Sequence, residues 1–485
     1  MDWLSELRPL FYPRTMAVAG VSRDKAKFGT VFLRALLDFG FKGKIYPVHP
    51  EGGEILGLKA YPSVRDIAEP VDLAAIMVPA PLVPVVLEDC LAKGVPGAEV
   101  FTSGFSETGD ERAAALGREL TRIARRGIRI VGPNCFGIYC PAGGLTLLPG
   151  GNFQRASGPV GFISQSGGHA VEFAREGRGR GIRFSKVISY GNGCDLNESD
   201  LLEYMAQDDE TRIVAMYLEG PREGRRFARL VKDLAPRKPV IIWKAGLTRT
   251  GGRAVHSHTA SVAGEEAVWQ AFFRQTAAVP VRDLEELGDT ILAFMHLPPS
   301  TGRRVGVVAG GGGLSVAAAD TCDRLGLEVP SFDDGAEAKL KEALPAAGTS
   351  LRNPLDMGVP LVPAPVFEHV LEIVAASQSV DTIIGTQGMF HVLGGKFGPP
   401  RDQKEAFLRA LVEVPARVRD RLGKPIVIVL PVDGDEVEMI EAERGRRKIR
   451  DQYLRLGIPA YPTLERAARA VANVATYYAK TAEAQ

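Results

Sequence analysis

The sequence is poor in the residues that staple small folds or hold metal ions. Its five cysteines (Cys90, Cys135, Cys140, Cys194 and Cys322) are scattered, odd in number and free of any CxxC pair. This excludes a disulfide framework or a four-cysteine metal site and fits reduced thiols in the cytoplasm. Only seven histidines occur. His256 and His258 stand one residue apart, with no HxxxH spacing or Cys/His cluster nearby, so no metal site is expected in this chain. Neither sign of charge is in excess: 59 Lys and Arg face 58 Asp and Glu, leaving +1. A nucleic-acid or anionic-membrane partner is therefore not expected. No apolar run approaches the roughly 20 residues of a membrane span. The opening MDWLSELRPL carries acids and no long apolar core, unlike a secretory signal. No repeat of about 20–50 residues is found.

What is present is one device used three times. MAVAGVS (16–22), VGFISQSGG (160–168) and RVGVVAGGGGL (304–314) are short apolar runs that end in Gly or Ser. Each precedes a helical pattern, so each reads as strand, tight turn and helix, the opening of a βαβ unit. Further apolar runs alternate with helices: KIYPV, LAAIMVP, AEVFTS and RIVGPN, then FSKVISYG, RIVAMYLEG and PVIIWKAG, then TIIGTQG and PIVIVLPV. Near-continuous apolar strands are those of parallel sheets covered on both faces. The length of 485 residues gives a prior of about three domains. The expectation is α/β, with three doubly wound parallel-sheet domains over 1–145, 150–298 and 300–485. The joins are Gly-, Pro- and Ser-rich stretches.

In such sheets ligands sit beyond the carboxyl ends of the strands. The first turn, AGVSRDKAKFG (19–29), is not GxGxxG, and the second strand ends YPVHPEGG without an acid at its tip, so a nicotinamide dinucleotide is disfavoured. Arg23, Lys25, Lys27, Lys42 and Lys44 cluster in sequence around that turn and strand. They are either a solvated surface or the seat of a ligand with several phosphates. The tips VPAP (78–81), TSGFSETG (102–109) and GPNCFG (132–137) are small and polar. Coenzyme A, an adenine nucleotide with a long thiol arm, fits such a trough.

In the middle third, ISQSGG puts Ser164, Ser166 and the Gly167 and Gly168 amides at a helix start, either a plain turn or an anion site. Glu219 in YLEGPREGRRF stands at a strand tip, where a carboxylate orients an imidazole. LTRTGGRA reads as a long Gly/Thr loop, and AVHSHTASVAG follows at the entry to the helix EEAVWQAFF. Packing, metal binding and a covalent role all remain open for the two histidines from these residues alone.

GPNCFG, SQSGG, YLEGPREGRRF, KAGLTRTGGRAVHSHTASVAG and NPLDM (353–357), in this order, resemble the alpha subunit of nucleoside-diphosphate-forming acyl-CoA synthetases, relatives of succinyl-CoA synthetase. The resemblance covers nearly the whole chain. It implies a Rossmann-like CoA-binding domain followed by two flavodoxin-like domains of the succinyl-CoA synthetase type. It implies that His258, not His256, carries a phosphoryl group, that Glu219 steadies it, and that Ser164, Ser166 and Gly167 dock it. Gly20, Ser22, Arg23, Lys27, Pro79, Ala80, Ser103, Gly104 and Asn134 fall on the CoA and acyl-transfer side.

The implied reaction interconverts acyl-CoA, phosphate and a nucleoside diphosphate with carboxylic acid, CoA and a nucleoside triphosphate. Three features depart from the family pattern. Ala260 stands where Gly is usual, Glu51 stands where Lys is common, and no ATP-grasp domain is found. The expectation is a cytoplasmic hetero-oligomer in which a beta subunit of ATP-grasp type holds ATP or ADP with Mg2+. The alternative is a CoA-binding regulatory or scaffolding protein that has lost catalysis.

Overall fold

The computed structural model describes residues 2–149, 153–259, 264–299, 301–345, 348–393, 399–400, 402–431 and 439–483; the side chains of 254, 256–259, 390 and 391 fall outside that description. The chain divides into two compact units, Met1–Leu287 and Gly288–Gln485.

The first unit holds two large sheets and a two-stranded antiparallel one, Gly53–Ile55 with Leu58–Ala60. One large sheet runs Lys44–Val48, Thr15–Ala19, Leu73–Ile76, Gly97–Val100, Arg129–Val131 in spatial order, with every pairing parallel. The order reverses between Thr15–Ala19 and Leu73–Ile76, which creates a crevice at their carboxyl ends. The strand Leu73–Ile76 is wholly buried, as its apolar run requires. The helix Phe28–Phe39 follows the first strand and buries Phe32, Leu33 and Leu36. Each such side chain contributes about 1.5–3 kcal/mol by leaving water. Gly40 ends that helix at φ +91°, a left-handed cap that favours glycine.

The second sheet runs Val279–Val281, Val240–Lys244, Ile213–Leu218, Val160–Ser164, Phe184–Ser189, Gly137–Tyr139. Its pairings are parallel except the last, where Gly137–Tyr139 lies antiparallel to Phe184–Ser189. That short strand sits in the sequence just after the last strand of the first sheet, so the chain passes from one sheet to the other at Gly132–Phe136. Here the order reverses between Val160–Ser164 and Ile213–Leu218, again leaving a crevice at the strand tips.

The second unit holds a parallel sheet in the order Leu355–Asp356, Val305–Ala309, Thr382–Thr386, Ile426–Val429, Ala460–Tyr461. Its core includes Val308, Leu355, Phe367, Leu371, Ile383 and Ile428. The NPLDM residues serve this sheet. Asn353 Oδ1 accepts from the Val307 N–H at 2.9 Å, and its Nδ2 donates to Val305 O at 2.8 Å. Asp356 Oδ1 accepts from the Gly311 N–H at 2.6 Å and so fixes the glycine turn.

The three large sheets are mostly parallel and the fold is α/β, as expected. One local expectation is corrected. LTRTGGRA is not a loop, because a helix spans Arg249–Thr259. Thr248 Oγ1 accepts the Gly251 N–H at 3.0 Å, satisfying a first-turn donor, and buried Val255 anchors the helix. Two glycines cost roughly 1 kcal/mol each in a helix, and tertiary anchoring outweighs that here.

Candidate active site

On the first sheet, four predicted strand tips meet. Gly20 takes φ +94°, and a Cβ there would lie 2.5 Å from Met77 O, so only glycine permits the turn to approach the next strand. The Ser22 N–H donates to Thr30 Oγ1 at 2.9 Å, which ties the turn to the helix behind it. Thr102 Oγ1 donates to Val78 O at 2.7 Å, and the Asn134 N–H donates to Thr102 O at 2.9 Å. Ala80 Cβ lies 3.4 Å from where a Cβ on Gly104 would stand. Gly20, Ser22, Pro79, Ala80, Ser103, Gly104 and Asn134 therefore share one edge.

The cations divide. Arg23 follows the first tip and meets Glu51 at 3.7 Å, an exposed pair of small energetic weight. Lys27 precedes the helix Phe28–Phe39 and is exposed. Lys42 and Lys44 do not belong with them. Lys44 opens its strand, pairing with Thr15 at the amino end of the sheet, and its Nζ meets Glu69 at 2.5 Å. Five cations close in sequence thus fall at opposite ends of a parallel strand.

On the second sheet, Ser164 ends its strand and Ser166 caps the helix Gly167–Arg180, accepting from the His169 N–H at 3.4 Å. Ser164 Oγ donates to Ser166 O at 2.6 Å. Glu219 lies at the neighbouring tip and is 3 % exposed. Tyr217 OH donates to Glu219 Oε1 at 3.3 Å. The helix Arg249–Thr259, which carries the backbone of His258, packs against the turn Ser106–Thr108. The side chains of His256 and His258, and residue Ala260, lie outside the described residues.

The connecting residues were not read from the sequence. Gln165 spans the second crevice: its Oε1 accepts the Glu219 N–H at 2.8 Å and the Gly220 N–H at 3.4 Å. Lys244 Nζ donates to Glu219 O at 2.8 Å. Burial pulls the Lys244 ammonium down to about 8, against the opposing pull of the Glu219 charge. Glu107 holds the first edge, accepting the Gly104 N–H at 2.6 Å and the Asn192 amide at 2.5 Å. Burial alone would raise its carboxyl, but these donors hold it below the usual range. Asn192 also faces Asn134 at 3.4 Å, and Arg222 Nη2 donates to Asn192 O at 2.6 Å. The Phe136 ring covers Gly167, where a Cβ would come within 3.0 Å. The two edges are thus one polar surface: a trough of small residues on one side, a capped helix start and a buried carboxylate on the other. Among the described residues no group of His, Cys, Asp and Glu is arranged to hold a metal ion. No described helix is long and apolar enough to cross a membrane.

Comparison with known proteins agrees with this layout. Residues 14–141 match the CoA binding domain, and residues 157–294 match the succinyl-CoA ligase like flavodoxin domain. The chain is 34% identical over 478 residues to the acetate–CoA ligase (ADP-forming) I subunit alpha of Pyrococcus furiosus, covering 96% of each. It is 40% identical to the acetate–CoA ligase (ADP-forming) I of Archaeoglobus fulgidus over 77% of this chain, and spans about half of that longer protein, 54%. The dinucleotide forming acetyl-coenzyme A synthetase 1 of Ca. Korarchaeum cryptofilum, solved with phosphate and ADP, superimposes with a TM-score of 0.83 at 33% identity, over 98% of this chain and 97% of that one. The chain belongs to the family of ADP-forming acetate–CoA ligases and their alpha subunits.

Proposed function

We propose that the chain is the alpha subunit of a cytoplasmic ADP-forming acyl-CoA synthetase, working with an ATP-grasp beta subunit in a hetero-oligomer. The observation that carries this reading is the crevice of the second sheet, where Gln165 joins the Ser166-capped helix start to the Glu219 tip. A helix start favours an anion, and a buried carboxylate beside it suits an imidazole that becomes charged. The P. furiosus protein of matching length is named a subunit alpha, which supports a partner chain. We retain the division 1–145, 150–298 and 300–485 as the working domain scheme.

Three steps follow, each reversible. An oxygen of phosphate attacks the thioester carbonyl carbon of acyl-CoA. The carbon–sulfur bond breaks, CoA leaves and takes up a proton as the thiol, and an acyl phosphate remains. The Gly20–Arg23 turn, Lys27 and the Pro79–Ala80, Ser103–Gly104 and Asn134 tips hold CoA at this stage. An imidazole nitrogen of His258 then attacks phosphorus, and the acyl oxygen leaves as carboxylate. Ser166 and Gly167 hold the phosphoryl oxygens, Ser164 braces that turn through its bond to Ser166 O, and Glu219 steadies the imidazole. Finally an oxygen of the ADP β-phosphate attacks phosphorus and the nitrogen–phosphorus bond breaks, giving ATP. Mg2+ at the partner's nucleotide site supplies charge neutralisation in this last transfer. Positioning and charge stabilisation carry most of the rate in phosphoryl transfer, which suits a site built from turns and helix starts.

The test is reconstitution with the ATP-grasp partner, Mg2+, ATP, CoA and acetate. The expected products are a thioester, ADP and phosphate. Thioester with AMP and pyrophosphate, or no thioester with acetate or longer acids, overturns the reading.

A further inference from the structure

The helices Phe28–Phe39 and Gly167–Arg180 border a cleft of about 810 Å3 that the reaction above does not use. Its volume lies in the range of small-ligand sites, about 300–1,000 Å3. Lys25, Arg34, Arg155 and Arg178 line it, against the single carboxylate of Asp38. Of the arginines in this unit, Arg118, Arg126, Arg129 and Arg180 each meet a carboxylate, whereas Arg8, Arg14, Arg112 and Arg125 meet none among the described residues; what sets the cleft apart is that several cations share one concavity. Among the described residues Lys25, Arg34 and Arg155 meet no carboxylate. Arg155 donates instead to the backbone oxygen of Asp38 at 2.7 Å. Cations converging on one concavity repel one another unless an anion sits among them.

Phe39 and Phe153 also line the cleft. Phe153 is almost fully buried, with its ring 5.4 Å from Tyr139, which in turn lies 5.9 Å from Phe39. An aromatic floor beneath a cationic rim matches a molecule with a planar ring at one end and phosphates at the other. The cleft is separate from the phosphate-docking end of the same helix: Arg178 stands three turns beyond Gly167, about 16 Å along the axis.

We propose that this cleft binds a nucleoside polyphosphate as an effector. The ring lies over Phe39 and Phe153, and the phosphates meet Lys25, Arg34, Arg155 and Arg178. A nucleotide bound there bridges the two helices whose amino ends face the CoA trough and the phosphate dock.

The experiment is equilibrium binding of ATP to the full 485-residue chain without partner or acyl substrate, with tripolyphosphate and CoA as comparison ligands. Saturable ATP binding that weakens with salt is expected. Arg34→Ala and Arg155→Ala should each weaken it about tenfold or more. Phe153→Leu should weaken ATP but leave tripolyphosphate unchanged, and saturating CoA should not displace ATP. Circular dichroism and the unfolding midpoint of each variant separate lost binding from lost fold. Wild type without saturable binding, or folded arginine variants that bind like wild type, overturn the site. Displacement of ATP by CoA assigns the cleft to the substrate's own nucleotide and also overturns it. Tripolyphosphate binding as tightly as ATP, with Phe153→Leu silent, overturns the ring contact.

Discussion

Replacing Gln165 by leucine removes the whole side-chain amide, oxygen and nitrogen, at little change in volume, and it should slow phosphorylation of the chain. The oxygen accepts the Glu219 N–H at 2.8 Å and, more weakly, the Gly220 N–H at 3.4 Å, in a place where Gln165 and Glu219 are both nearly inaccessible. A buried donor left without an acceptor costs about 1–3 kcal/mol. The Glu219 tip escapes that cost by moving toward water, away from the geometry in which its carboxylate meets an imidazole. If the cost appears in the transition state, phosphorylation slows about 5- to 150-fold. The assay is rapid-quench labelling from labelled ATP in the presence of the ATP-grasp partner. Gln165→Glu is the informative companion: it keeps an acceptor for both N–H groups but adds a negative charge beside the phosphate dock. It should still label slowly, and its unfolding midpoint should fall because a second carboxylate is buried beside Glu219. A Gln165→Leu chain that is folded and labels at the wild-type rate would refute the reasoning, because Glu219 would then need no bridge.

Other consequences are equally direct. Glu219→Gln should leave CoA binding intact and lower the labelling rate by about tenfold or more, as expected when a charged orienting group is lost. Arg23→Ala should weaken CoA binding, whereas Lys44→Ala, at the far end of its strand, should not; titration calorimetry with CoA separates the two. Glu99 is buried, its Oε1 has no partner, and its Oε2 lies beside Gly137. Burial raises its carboxyl to about 8, despite a hydrogen bond from the Ile138 N–H. A carboxyl raised above its unfolded value stabilises the fold fully below about pH 4.5, and that contribution is lost as pH rises through 8. The slope is about 1.4 kcal/mol per pH unit at most. Glu99→Gln should abolish this part of the fall in stability between pH 5 and 8. Trp3, Trp243 and Trp269 all lie in the first unit, so tryptophan fluorescence during urea unfolding follows that unit alone. Parallel pH dependences for the two proteins would contradict the assignment.

The long strands were legible because a parallel strand covered on both faces must be an unbroken apolar run, as in VGFIS or IVAMYL. The short strands Leu355–Asp356 and Gly137–Tyr139 were not, since such short stretches carry no periodicity. The helix Arg249–Thr259 was hidden by its glycines and is held by Thr248 and buried Val255. The turn glycines and serines could be placed because each follows a recognisable strand. Gln165, Glu107 and Asn192 could not be singled out, because their work lies in bonds to residues tens of positions away, 54 for Gln165 and 85 for Asn192. Gln165 alone left a trace, standing between two serines at a strand tip that a crevice had to border. The cations at 42 and 44 could not be assigned from the sequence for a simpler reason: nearness in sequence does not say which end of a strand a residue occupies.

The central claim is that one histidine of the pair in AVHSHTASVAG carries the phosphoryl group. The chain, its ATP-grasp partner, Mg2+ and labelled ATP should give an acid-labile, base-stable label on this chain. Wild type and His256→Asn should both carry it, and His258→Asn should not. A His258→Asn chain that labels like wild type, or a wild type that takes no label, would contradict the account.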